Sequence, residues 1–356
     1  MIRSAKRPTV SVRRQQNPHK DTSPAPDPAA GGRDVRQLPP EQKDCLMGKP
    51  SPTARPVLEI LAAPHTPMRG DGAIHIDRVE ALAGSLVASG VSGVFVCGST
   101  GEFASLSTDE RMQVAQRWVE VAAGRLRVLV HVGHTSIADC RALAEHAQRI
   151  GADGIGALAP FFFKPTCVAE TVDFCCEVAA AAPELPFYFY HIPARSGVDL
   201  PMIELLESAG PRIPTLQGMK FTAEKLNDYL LCLRADGGRY EMFFGRDEML
   251  LAGLALGATA AVGTTYNYAA PLYIRIAEAF AAGDLTAARD DQARSAEMIR
   301  VMKRTGVMQA SKAMMRMIGV DCGPLRPPMK NLSDEQVAEL RGGLERIGFL
   351  EWCNRT

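Results

Sequence analysis

A chain of 356 residues that is 46% hydrophobic and 22% charged can bury a sizeable core, and it lacks the polar excess of a wholly disordered protein. Forty basic residues balance forty acidic ones, so no overall field draws the chain toward nucleic acid or an anionic membrane.

The balance conceals an asymmetry, because residues 1–50 carry ten Lys/Arg against five Asp/Glu. Residues 1–55 are rich in Pro, Arg, Gln and Asp and have no apolar periodicity, which predicts a disordered tail. Its first twenty residues are basic and free of acids, as in a transit peptide. They lack the regular leucines of an amphipathic helix, so a plain tail or a translation start at Met47 is the better reading. No apolar run reaches the ~20 residues of a membrane span. The nine cysteines are odd in number and contain no Cys-x-x-Cys pair, which fits reduced thiols in the cytoplasm.

From residue 57 onward, short apolar runs alternate with segments of helical period. Strands are predicted at 57–62, 94–97, 128–132, 154–158, 187–190, 215–220, 242–245 and 260–263. Between them helices are predicted at 77–88, 108–123, 136–150, 168–181, 201–208, 223–234 and 247–256. Ser107-Thr108-Asp109-Glu110 opens one of these with a capping box. Eight strands alternating with helices predict an α/β fold, the (β/α)8 or TIM barrel, over 56–268. An open doubly wound sheet would call for a Gly-x-Gly-x-x-Gly turn after the first strand, and none is present. The later segments at 271–282, 285–304, 307–318 and 333–347 are all helical and predict a C-terminal helical appendix over 269–356.

Barrel enzymes carry their reacting groups at the carboxyl ends of the strands. The sixth predicted strand ends in Lys220, a lone lysine closing an apolar run, which either snorkels out to water or is kept neutral, and a desolvated amine there becomes a nucleophile toward a ketone. Thr222 points the same way two residues later. The second strand runs into Gly98-Ser99-Thr100-Gly101-Glu102, whose hydroxyls and amides can cradle a carboxylate or phosphate. The fifth ends Tyr188-Phe189-Tyr190-His191, where period two places Tyr188 and Tyr190 on one face. Tyr190 is a candidate proton shuttle, and a core aromatic is the competing reading. The seventh strand presents Gly245, Asp247 and Glu248, and the eighth ends at Thr264. His131, His134 and His191 are isolated, no cluster has metal-ligand spacing, and neither a Walker nor a dinucleotide loop appears. Neither a metal nor a cofactor is therefore expected, which leaves a lysine imine as the electron sink for carbanion chemistry.

Gly98-Ser99-Thr100-Gly101-Glu102, Tyr190-x-x-Pro193 and Gly218-Met219-Lys220 occur in the order and approximate spacing of the pyruvate-dependent Schiff-base aldolases, the family of N-acetylneuraminate lyase and dihydrodipicolinate synthase. The resemblance covers about residues 57–350, and the runs around Phe162, Tyr190 and Thr264 look most like the animal-type lyases. It implies that Lys220 forms the imine with a 2-keto carbon and that Ser99 and Thr100 hold the keto-acid carboxylate. It further implies that Tyr190 relays the proton, and that Thr222, Gly245, Asp247, Glu248 and Thr264 bind the hydroxyls of a 2-keto sugar acid. The implied reaction is cleavage of N-acetylneuraminate to N-acetylmannosamine and pyruvate by a homotetramer.

Two residues depart from the lyase pattern. Thr264 replaces the usual serine, keeping the hydroxyl and adding a methyl. Arg195 stands where lyases carry leucine and where the synthases carry an arginine for the carboxylate of their aldehyde substrate. Against the synthase reading, Phe162 replaces the tyrosine that synthases contribute across a subunit interface, so a relaying hydroxyl is missing there.

Overall fold

The computed structural model describes residues 57–354, and the tail predicted for 1–55 lies outside them. Among the described residues, β1 (Glu59–Ala62), β2 (Gly93–Val96), β3 (Arg127–His131), β4 (Gly154–Leu158), β5 (Phe187–His191), β6 (Leu216–Phe221), β7 (Glu241–Phe244) and β8 (Ala260–Gly263) form one closed parallel barrel. Each strand pairs with the next, and β8 closes on β1 in the register Glu59 to Ala260 through Ala62 to Gly263. The strands read as near-continuous apolar runs because both of their faces are covered, by barrel filling inside and helices outside.

The connecting helices follow the predicted order, with differences at their ends. The capping box is formed: Glu110 N donates to Ser107 Oγ at 3.2 Å and Ser107 N to Glu110 Oε2 at 2.9 Å, opening Thr108–Ala122. The helix predicted from residue 223 begins instead at Leu226, because 222–225 form the loop that leaves β6 at the site end. The helix predicted from Asp247 opens as a 3₁₀ turn, Asp247–Met249, and becomes regular only over Leu250–Leu256. A four-residue helix at Pro193–Ser196, started by proline and ended by Gly197 at φ +67°, is too short to leave a period in the sequence.

The predicted boundary between barrel and appendix at 268/269 falls inside the helix Tyr266–Ala281. This helix follows β8 directly and packs against β1, so it is the eighth helix of the barrel. Pro271 reads as a helix start; the chain instead absorbs its missing N–H by a local departure at Ala269, φ −137°. The appendix comprises Leu285–Thr305, Val307–Met317, Asp334–Arg346 and Phe349–Trp352. Among the described residues no helix is long and apolar enough to cross a membrane.

The amino-terminal end of the barrel is closed by charge rather than by hydrocarbon. Arg127 on β3 forks onto Glu241 of β7 at 2.6 and 2.8 Å and also reaches Glu59 of β1 at 3.2 Å, while the Tyr188 hydroxyl donates to Glu241. Burial opposes ionisation of Glu241, but the bonds from Arg127 and Tyr188 outweigh it and hold its carboxyl below the usual range. Glu59 is raised by burial and has less of Arg127 to offset it. Gly218 allows β6 and β7 to meet here, since a Cβ at that position would fall 1.9 Å from the Glu241 carbonyl oxygen.

Candidate active site

At the opposite end, the carboxyl ends of the strands bring most of the predicted residues together. In register, Lys220 on β6 lies between Tyr190 of β5 and Phe243 of β7. Its side chain is buried, with Nζ 4.2 Å from the centre of the Phe95 ring and 4.3 Å from that of Tyr190. Burial lowers its pKa to about 7, with Asp247 pulling weakly the other way, so a large share of the amine is unprotonated near neutrality. The aromatic faces favour the remaining ammonium without pairing it.

Tyr190 is packed edge-on against Phe95 and His131, with its hydroxyl 3.3 Å from Ser99 Oγ. Burial pushes the phenol up to about 12, against the opposing bond from Ser99, so it carries its proton at rest. His131 is fully buried behind it, with Nδ1 2.9 Å from the Cys97 carbonyl oxygen, and burial holds the ring well below its ordinary pKa. It is a neutral packing residue beneath the tyrosine.

Ser99 and Thr100 sit on the turn that follows β2, and Thr100 Oγ1 lies 2.6 Å from Thr264 Oγ1 at the end of β8. Thr222 presents a buried Oγ1 to the site, near enough to the Tyr190 phenol to oppose the rise in its pKa. Gly245 leaves room for that hydroxyl, because a Cβ there would fall 2.2 Å from Thr222 Oγ1. Asp247 is buried and its Oδ2 accepts from Thr265 N at 2.9 Å and Thr265 Oγ1 at 2.7 Å. Burial raises its carboxyl above the usual range despite those bonds.

Three predicted residues stand apart from this cluster. Glu248 is turned to the rim, where Arg246 meets it at 3.1 Å and Lys303 at 4.0 Å. Arg195 is exposed on the short helix after β5 and lines a cavity of about 240 Å³ that begins at Ser99. Phe162 lies outside the cavity altogether, 74% exposed, and stacks edge-on with Phe163. The wall of the cavity is supplied instead by Phe103, Phe161, Met308 and Met329, which the motifs did not indicate. Phe161 adjoins the singled-out Phe162, whereas Met308 and Met329 come from the appendix and carry no local signal. Among the described residues no group of three His, Cys, Asp or Glu is placed to hold a metal ion.

A buried amine of lowered pKa, a protonated phenol and a hydroxyl-lined turn form the chemical core of the cluster. This arrangement can be set beside known proteins. The model of the dihydrodipicolinate synthetase family matches residues 56–347. The N-acetylneuraminate lyase of Mus musculus is 40% identical over 296 residues, 82% of this chain and 92% of that protein. That of Homo sapiens is 41% identical over 302 residues, 83% of this chain and 94% of that protein. Among solved structures, Proteus mirabilis N-acetylneuraminate lyase superposes with a TM-score of 0.80 at 40% identity, covering 83% of this chain and all of that one. The family match spans the barrel and nearly all of its C-terminal helices, so the chain belongs to the dihydrodipicolinate synthetase family.

Proposed function

We propose that this protein is a Schiff-base lyase that cleaves N-acetylneuraminate to N-acetylmannosamine and pyruvate. The observation that carries the proposal is the buried Lys220 amine, with a pKa lowered to about 7 and no ion-pair partner among the described residues, directly beside Tyr190. In the forward direction the amine attacks C2 of the open-chain keto acid and water leaves, giving a protonated imine. Tyr190 relays the C4 hydroxyl proton toward the substrate carboxylate region. The C3–C4 bond then breaks, its electron pair passing into the imine to form an enamine, and the C4 aldehyde departs as N-acetylmannosamine. Protonation of the enamine at C3 and hydrolysis of the imine release pyruvate and restore the amine.

Ser99 and Thr100 hold the substrate carboxylate in this reading. Thr222, Gly245, Asp247 and Thr264 line the polyol chain, with Glu248 joining them after leaving Arg246. The identity of about 40% to lyases over most of the chain supports the substrate assignment. A cytoplasmic homotetramer completes the proposal.

Arg195 favours a second reading, a synthase condensing pyruvate with an aldehyde that bears a carboxylate, because it lines the cavity where such a group would dock. The two readings separate in one assay. The lyase reading expects pyruvate release from N-acetylneuraminate, a borohydride-reduced pyruvate adduct on Lys220, and cleavage by Arg195→Leu within about tenfold of wild type, ~1.4 kcal/mol. Condensation of pyruvate with aspartate semialdehyde that is lost in Arg195→Leu, without sialic acid cleavage by the wild type, would establish the synthase instead. An adduct on another lysine would remove the mechanism altogether.

A further inference from the structure

The turn that presents Ser99 and Thr100 is bounded by two non-glycine residues with left-handed backbones, Cys97 at φ +54° and Glu102 at φ +58°. Such conformations persist only where their surroundings enforce them, and they gather at sites that need a fixed geometry. Cys97 is held from inside the barrel, through its carbonyl oxygen 2.9 Å from His131 Nδ1. Glu102 is held from the appendix. Its carboxylate has no exposed surface and meets the buried ammonium of Lys312, on the helix Val307–Met317, at 2.7 Å. The second carboxylate oxygen accepts from Arg326 N at 3.0 Å. Lys312 also donates to the carbonyls of Pro324 at 2.6 Å and Thr66 at 3.2 Å, and the Thr66 hydroxyl donates to Gly101 O within the turn at 2.7 Å.

Burying two opposite charges is a poor route to stability, because desolvation offsets most of their attraction. Their value lies in geometry: a buried ion pair that reaches a strained residue fixes its position more sharply than apolar packing would. The Glu102 carboxylate cannot itself touch a ligand, since it is sealed, and only the rest of the residue borders the cavity. We propose that Glu102 and Lys312 are a positioning pair that holds the Ser99–Thr100 turn in the shape that receives the keto-acid carboxylate. The inference rests on the reading of that turn under Proposed function, and it assigns the C-terminal helices a part in substrate binding.

Removing one charge alone would leave the other buried and unpaired, so the test uses two double variants, Glu102→Gln/Lys312→Met and Glu102→Gly/Lys312→Met. The glycine version also relieves the left-handed backbone. Pyruvate is titrated in the presence of borohydride, and the reduced adduct on Lys220 is measured by mass spectrometry together with kcat and KM for cleavage. The pair's positioning role requires that folded double variants still label Lys220 at saturating pyruvate. The half-saturating concentration and KM should rise about tenfold or more, with kcat changing much less. Folded double variants whose half-saturation stays within about twofold of wild type would overturn the proposal, the pair then being a fold clamp only. Failure of both variants to fold would overturn it in the same sense. A wild type that never traps pyruvate would instead overturn the functional reading beneath it, so the two failures are distinguishable.

Discussion

The ammonium of Lys220 is buried with no ion-pair partner among the described residues, and the faces of Phe95 and Tyr190 offset only part of that cost, so its proton sits in a poor environment. The folded pKa is about 7 against an ordinary 10.5. Between these values the unfolded chain binds a proton that the folded chain lacks, so this residue's contribution to stability rises with pH across that window. Below pH 7 both states are protonated and the full cost is present. Lys220→Met should therefore raise the unfolding free energy read from urea titrations most at pH 6 and below, by about 5 kcal/mol at most, with the advantage shrinking toward pH 10.5. A gain independent of pH would mean the lysine is not desolvated. Tyr190→Phe keeps the ring that packs under Lys220 and removes only the hydroxyl. It should lower cleavage by ~10²–10⁴-fold while pyruvate trapping persists. Near-normal cleavage would leave Tyr190 as a core aromatic. Both residues were legible in the sequence, Lys220 as the one charge closing an apolar strand and Tyr190 by period two. The engagement of Glu248 was not, because it depends on Arg246 and on Lys303 from a distant helix.

All eight strands were legible because parallel barrel strands are buried on both faces and read as near-continuous apolar runs. The helix ends were less so. Period alone cannot tell where the site loop after β6 gives way to the helix Leu226–Arg234, or that Pro271 lies within a helix. The cluster of Arg127, Glu59, Glu241 and Tyr188 was also hidden, since its members come from β1, β3, β5 and β7 and meet only when the barrel closes. This cluster permits a test confined to the closed end of the barrel. Arg127→Met leaves two carboxylates facing one another with no cation, and removing one partner of a partly buried network costs about 3 kcal/mol. The urea midpoint should fall accordingly at pH 7 and recover as Glu59 protonates at lower pH. Pyruvate trapping by the folded fraction should be unchanged, because the substitution lies at the other end of the barrel from Lys220. A loss below about 1 kcal/mol would show that solvent screens the network.

At the scale of the whole molecule, the described part of the appendix, its helix Val307–Met317 and the segments around Arg326 and Asn354, is tied to the barrel by long-range bonds. Ser311 pairs with His65 at 2.7 Å, Asn354 accepts from Ala270 N at 2.8 Å, and Arg326 bonds both Glu110 and the Ser105 carbonyl. The surface that these contacts leave uncovered includes Phe162 and Phe163, 74% and 86% exposed, with ring centres 5.0 Å apart. Single exposed apolar residues are ordinary on a protein surface, but two adjacent aromatics on one loop form a patch that favours burial against another surface. The two rings themselves line a hollow completed by Pro160, Lys164, Pro165, Glu170 and Phe174, which gives a partner loop somewhere to seat. Under the proposed homotetramer this loop packs against a second copy, and Phe162→Ser/Phe163→Ser should lower the mass measured by light scattering from that of a tetramer toward a smaller species. The helices, and hence the far-ultraviolet circular dichroism, should be unaffected, since neither residue touches the core. An unchanged tetramer would move the contact to another face, and a monomeric wild type would remove the homotetramer from the proposal.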